Sequence, residues 1–302
     1  SGVSVDLQSD LASNDGDGGT DTLLGIENVT GSAQADNLRG DTGQNVIRGE
    51  DGNDVVYGGA GSDQLFGGAQ TIADELRFDD LTNGGVVLDL GAATAVYGFD
   101  GSTDTFAGFE QYFTTNQADT VDGSAAGDVV NTLAGIDFIN ASQGADTYDG
   151  GADRDTIDYS AVAGATSIEF TLNGGNNAVI QVNGGDNDVV ANIENVIGTS
   201  GNDRMTGDGL DNELSGLAGN DEFFASAGAD TLDGGANSDT VDYSGLAGVN
   251  FVNVTLNGAT DATVVVNGGD NDTVRNIENV VGTAGQDVLT GDANQNTLSG
   301  RG

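Results

Sequence analysis

The chain has 302 residues, 51 of them Gly, and its 49 acidic residues stand against 7 Arg and no Lys, giving a net charge of −42. His, Cys, Pro and Trp are absent, which removes Ser-His-Asp and Cys-His nucleophiles, His/Cys zinc sites and thiol redox chemistry. The charge excludes nucleic-acid backbone binding, which needs a basic footprint; no apolar run reaches the ~18 residues of a membrane span; and Gly, Asp, Asn, Thr and Val disfavour helix.

So acidic a composition is ordinarily that of a disordered chain. Here the acids are periodic, and periodicity implies a repeat fold. From residue 31 onward nonapeptides follow the frame Gly-Gly-x-Gly-x-Asp-x-U-x, where U is a large apolar residue. The cleanest runs from Gly58 to Phe66, preceded by Gly49 to Tyr57. The sixth places are Asp36, Asn45, Asp54, Asp63 and, after an insertion at residues 70–73, Asp74. A second tract places Asp119, Asp128, Asp137, Asp146 and Asp155 there, a third Asp203, Asn212, Asp221, Asp230 and Asp239, and a fourth Asp287 and Asn296. All 17 eighth places, from Leu38 to Leu298, are apolar.

A longer repeat encloses the short one. Asn192-Ile193-Glu194-Asn195-Val196 recurs 84 residues later at Asn276 to Val280, and Asp158-Tyr159-Ser160 recurs as Asp242-Tyr243-Ser244. Glu27, Glu110, Glu194 and Glu278 mark four copies. The expected organisation is one continuous solenoid: a partial unit at 1–78, units at 79–159 and 160–243, and a partial unit at 244–302, as a fragment of a longer protein. Between tracts, residues 167–172, 193–196, 252–256 and 264–266 alternate with period two and read as strands. About two further coils are expected through each such segment, without a domain break.

With 17 nonapeptides in register, the chain closely resembles the RTX (repeats-in-toxin) family of hemolysin-type calcium-binding repeats. The resemblance implies an all-β fold, a right-handed parallel β-roll or β-helix solenoid with Ca²⁺ between stacked turns. Two nonapeptides make a coil: six residues of each turn, three form a strand, and U points inward. Stacked turns bring carboxylates and backbone carbonyls around one gap, and Ca²⁺ takes 6–8 such oxygens.

In that family the sixth-place Asp side chains and the turn carbonyls are the ligands. Carried over, they are Asp36, Asp54, Asp63, Asp119, Asp128, Asp137, Asp146, Asp155, Asp203, Asp221, Asp230, Asp239 and Asp287, with the carbonyls of Gly49, Gly52, Gly58, Gly61, Gly216 and Gly219. Asn45, Asp74, Asn212 and Asn296 are the weaker positions: Asn lacks charge, and the insertion breaks the turn before Asp74. Thr114, Thr132 and Ala141 replace the first Gly of their nonapeptides, so some turns of that tract are expected to be metal-free.

Blander alternatives stand beside these readings. An Asp array also arises from turns in which Asp caps its own backbone. Asp186, Asp188, Asp270 and Asp272 read equally as an extra half-site or as solvated turns. Tyr159 and Tyr243 read as packed, hydrogen-bonded corners, and the once-per-unit Glu as a repeated structural contact.

The expected function is that of a non-catalytic, calcium-folded segment of a secreted bacterial surface, matrix or adhesive protein, exported by type I secretion and located outside the cell. The alternative is the accessory region of a larger exoenzyme or toxin. Expected partners are Ca²⁺ (several ions), with self-assembly or cell-surface glycans as further options, and neither nucleic acid nor a membrane span.

Overall fold

The computed structural model describes residues 1–70, 73–183 and 186–301. Thr71 and Ile72 of the insertion, Gly184 and Gly185 of the Asn-Gly-Gly-Asp segment, and the final Gly302 lie outside them. The described residues contain strands and turns and no helix. None is therefore part of a helix long and apolar enough to cross a membrane.

The chain divides into two units: Ser1–Ile139 with Thr147–Asp153, and Asn140–Asp146 with Arg154–Gly302. Each is a parallel β-roll. In the first, the strands Asn37–Arg39, Val55–Tyr57, Glu75–Arg77, Gln111–Phe113, Val129–Asn131 and Thr147–Asp149 pair in parallel, one after another. Asn28–Thr30, Val46–Gly52, Gln64–Gln70 and Thr103–Ala107 form another ladder. Partners such as Leu38 and Val56, or Ile47 and Leu65, are 18 residues apart, which is two nonapeptides.

The second unit repeats the scheme. Thr156–Asp158, Asn195–Ile197, Glu213–Ser215, Thr231–Asp233 and Asp272–Arg275 make one parallel ladder. Ile168–Thr171, Arg204–Thr206, Glu222–Phe224, Thr240–Asp242 and Asn279–Val281 make another.

Three-residue strands suffice because the apolar eighth residue sits at the middle of each, between two outward-facing neighbours. Fifteen of the 17 eighth-place residues are buried; Leu289 is half-buried and Leu298 exposed. Burial of each such side chain contributes roughly 1.5–3 kcal/mol.

The intertract segments depart from the expectation of two further parallel coils. Val86–Asp89, Thr94–Tyr97 and Thr103–Ala107 pair antiparallel as an up-down-up excursion, and only its outer strands join the parallel ladders. Ile168–Thr171, Ala178–Val182 and Asn187–Ala191 do the same, as do Val252–Thr255, Ala262–Val266 and Asp272–Arg275. The connections are the reason: links such as 90–93 and 267–271 are too short for a parallel crossover, which needs a dozen or more residues.

Candidate metal centre

The sixth-place carboxylates lie inside the turns. Asp54, Asp74, Asp155 and Asp239 are fully buried, and every other sixth-place Asp except the half-buried Asp287 is nearly so. A buried carboxylate without a partner is unstable, so each oxygen needs a counterpart.

One oxygen is satisfied by the stacking itself. Asp54 Oδ1 accepts a hydrogen bond from the Asp36 backbone N–H at 2.8 Å, and Asp74 Oδ1 accepts one from Asp54 at 2.8 Å. Asp63 serves Asn45, Asp137 serves Asp119, Asp221 serves Asp203, and Asp239 serves Asp221, all at 2.7–2.8 Å. Each carboxylate thus fastens its own coil to the preceding one. The insertion before Asp74 does not displace that carboxylate from the ladder.

The excursions supply further members. Asp104 Oδ1 accepts from the Asp63 N–H at 2.7 Å, Asp188 from Asp146 at 3.0 Å, and Asp272 from Asp230 at 3.1 Å. All three are buried, so the solvated-turn reading of Asp188 and Asp272 is corrected. Their other oxygen takes a buried Tyr hydroxyl: Tyr97 for Asp104, Tyr159 for Asp188 at 2.8 Å and Tyr243 for Asp272 at 2.9 Å. Glu110, Glu194 and Glu278 cap the parallel positions, accepting from the N–H groups of Asp74, Asp155 and Asp239 at 2.9 Å.

The second oxygen separates two kinds of turn. In one kind it is held within the turn. The Thr115 N–H donates to Asp119 Oδ2 and its hydroxyl to Oδ1, both at 2.9 Å. Thr199 does the same to Asp203 at 2.8 and 3.0 Å, and Ser124 to Asp128 at 2.7 and 2.9 Å. Ser32 closes on Asp36, while the hydroxyls of Ser142 and Ser226 reach Asp146 and Asp230. Each of these hydroxyls belongs to the second place of its nonapeptide.

The Asn turns are closed in reverse. Asn45 Oδ1 accepts from the Asp41 N–H at 2.8 Å while its amide donates to the Glu27 carbonyl at 3.0 Å. Asn212 repeats this with Asp208 and Glu194 at 2.8 and 3.1 Å, and Asn296 with Asp292 alone.

In the other kind of turn the second place is left-handed: Glu50 (φ 78°), Gly59 (φ 84°), Gly68 (φ 124°), Leu217 (φ 66°) and Gly235 (φ 91°). Here the Oδ2 atoms of Asp54, Asp63, Asp74, Asp221 and Asp239 are buried and have no protein partner. Beside each lies a first-place Gly, and at four of the five (all but Asp63) a carbonyl of the next coil points into the same space. A Cβ on Gly49 would collide with both Asp54 Oδ2 and the Gly67 carbonyl; one on Gly216 would meet Asp221 Oδ2 and lie 2.9 Å from the Gly234 carbonyl. A Cβ on Gly58 would lie 3.0 Å from Asp63 Oδ2 and 2.8 Å from Asp104 Oδ2. A Cβ on Gly52, Gly61 or Gly219 would instead run into the preceding coil's backbone. Asp287 lies between the two kinds: Thr283 holds Oδ1 at 2.9 Å, and Oδ2 is bare.

Burial pushes these open carboxyls upward, Asp54 and Asp239 to about 6, Asp221 to about 7 and Asp63 to about 8, with neighbouring carboxylates adding to the rise. Among the described residues no three acidic side chains gather around one point. A cation here would therefore be held by one or two carboxylates completed by carbonyls, the donor set that suits hard Ca²⁺.

Comparison with known proteins agrees with this geometry. Residues 27–70, 122–157, 206–241 and 276–302 match the RTX calcium-binding nonapeptide repeat, in four copies. No curated protein sequence matches the chain. Among solved structures it is similar to the extracellular lipase LipA from Serratia marcescens, at 15% identity and a TM-score of 0.23 over 55% of this chain. The chain spans 38% of that lipase's length, and a likeness this low bears on no activity. The chain thus carries four tracts of the RTX calcium-binding nonapeptide repeat within its parallel β-roll.

Proposed function

We propose that this chain is a non-catalytic segment of a secreted protein that folds when it meets extracellular Ca²⁺. The observation that carries the reading is the set of buried Oδ2 atoms on Asp54, Asp63, Asp74, Asp221 and Asp239, each lacking a protein partner.

A buried polar group left unpaired costs about 1–3 kcal/mol, and more when charged. Five such groups cost on the order of 5–15 kcal/mol, as much as the whole stability of an ordinary domain. A net charge of −42 adds self-repulsion. Ca²⁺ reverses both terms, so binding and folding are one event. Sites of extracellular modules bind at roughly 10⁻⁴–10⁻³ M. Cytoplasmic calcium would leave such a chain unfolded and ready for export, which fits type I secretion.

The non-catalytic part rests on access. The Tyr–Asp pairs are the most enzyme-like groups present, and they are sealed within the core. Repetition of such a pair in three successive excursions suits a scaffold. Far-UV circular dichroism titrated with CaCl₂ and then EDTA tests the reading. Strand signal should appear near millimolar Ca²⁺ and vanish on chelation; a spectrum indifferent to both would overturn it.

A further inference from the structure

The nonapeptides differ at two places that decide whether the gap between coils is filled by protein or left open. At the second place, Ser or Thr turns its hydroxyl onto the sixth-place carboxylate, and Asp performs the corresponding closure on Asn. At the first place, Thr fills the gap directly. The Thr114 hydroxyl donates to the Thr132 carbonyl at 3.1 Å, and the Thr132 hydroxyl to the Gly150 carbonyl at 2.8 Å. These are the first-place carbonyls that face the open carboxylates elsewhere.

We propose that calcium enters only the turns with Gly at the first place and a left-handed residue at the second, and that the other turns are stacked by side-chain hydrogen bonds in its stead. The proposal rests on the calcium reading above. It assigns ions to the turns of Asp54, Asp63, Asp74, Asp155 (Gly150, then Gly151 at φ 87°), Asp221 and Asp239, and it removes Asp36, Asp119, Asp128, Asp137, Asp146, Asp203, Asp230 and Asp287 from the ligands that family resemblance suggests.

Leu217 and Glu50 support the assignment independently. Neither is Gly, yet both are held left-handed at φ 66° and 78°, a conformation costing about 1–2 kcal/mol for such residues. That strain withdraws the second-place backbone from the carboxylate, leaving its oxygen to a ligand. The closed turns have a regular place as well. In the tracts beginning at Gly31, Thr114 and Gly198, the first two nonapeptides are closed. A metal-independent step therefore opens each of these three tracts.

The turn at 132–140 offers a decisive variant. Its Leu133 (φ 69°) and Gly135 (φ 135°) already match Leu217 (φ 66°) and Gly219 (φ 135°) of the open turn at 216–224. Thr132 is the obstruction, and Thr132→Gly makes the segment read Gly-Leu-Ala-Gly-Ile-Asp against Gly-Leu-Ala-Gly-Asn-Asp. The full chain and its variants are dialysed to equilibrium against CaCl₂, and bound calcium is counted per chain. Thr132→Gly should bind one ion more than the parent. Asp221→Asn, which keeps the Oδ1 acceptor, should bind at least one fewer, and Asp203→Asn the same number.

Equal losses from Asp203→Asn and Asp221→Asn, or no gain from Thr132→Gly, would overturn the partition while leaving the calcium reading intact. A parent chain that takes up no calcium would overturn both.

Discussion

Gly216 is the most exacting place to challenge the open-turn geometry, because its backbone is not left-handed and Ala is conformationally acceptable there. The obstacle is contact. The new Cβ would collide with Asp221 Oδ2, lie 2.6 Å from Asp221 Cγ and lie 2.9 Å from the Gly234 carbonyl. Two of those atoms are the proposed ligands. Forcing a methyl into such a space costs about 1–3 kcal/mol. Losing one ion removes a further ~2.7 kcal/mol when free calcium stands a hundredfold above its dissociation constant. Together these make about 4–6 kcal/mol, a large share of an ordinary domain's ~5–15 kcal/mol.

Gly245→Ala is the control. No atom lies within 4 Å of its Cβ position, so the change should be neutral or slightly stabilising. Calcium-titrated circular dichroism gives the folding midpoint and dialysis the ion count. Gly216→Ala should need more calcium and bind at least one ion fewer. Indistinguishable behaviour of Gly216→Ala and Gly245→Ala in both measurements would refute the geometry.

Acidity should act on the calcium-free chain with a definite sign. Burial raises Asp188 to about 6 and Asp272 to about 7 from 3.8, so the folded state holds more protons and its stability falls as pH rises from ~4 through ~7. In EDTA the residual strand signal in far-UV circular dichroism should accordingly be greater at pH 5 than at pH 8; the opposite order would contradict the burial argument. Tyr243→Phe strips the hydroxyl bonded to Asp272 Oδ2 at 2.9 Å and should cost about 1–3 kcal/mol, read from urea unfolding in saturating calcium; no measurable loss would make the pair incidental. Asn212→Asp removes the amide that donates to the Glu194 carbonyl at 3.1 Å and sets a carboxylate oxygen against it. A loss of about 1–3 kcal/mol is expected, and an unchanged midpoint would show that the Asn turns need no amide.

Much of the roll is legible in the residues because its interactions are local or strictly periodic. Leu38, Ile47 and Val56 recur every nine residues, and each is fully buried. The step of 18 then places Asp36 beneath Asp54 and Asn45 beneath Asp63. The Glu of the Ile-Glu-Asn-Val segments proved to be a structural contact, and Tyr159 and Tyr243 buried corners, as the repeats suggest. Asp104 is different. It reaches Asp63 across 41 residues through an antiparallel excursion, and no nine-residue frame points to it. The excursions are legible as strands but not as antiparallel ones, because alternation marks a strand without marking its direction.

The amino-acid sequence by itself determined the rung: which residue faces inward, which carboxylate enters the turn, and how far apart partners lie. Short-range periodicity suffices for that, since each coil repeats the geometry of its neighbour. Tertiary structure alone decided how each carboxylate is satisfied. Whether an oxygen meets a hydroxyl, a Tyr or an open gap depends on a left-handed second residue and on carbonyls arriving from the next coil, and such atoms become neighbours only once the coils have stacked.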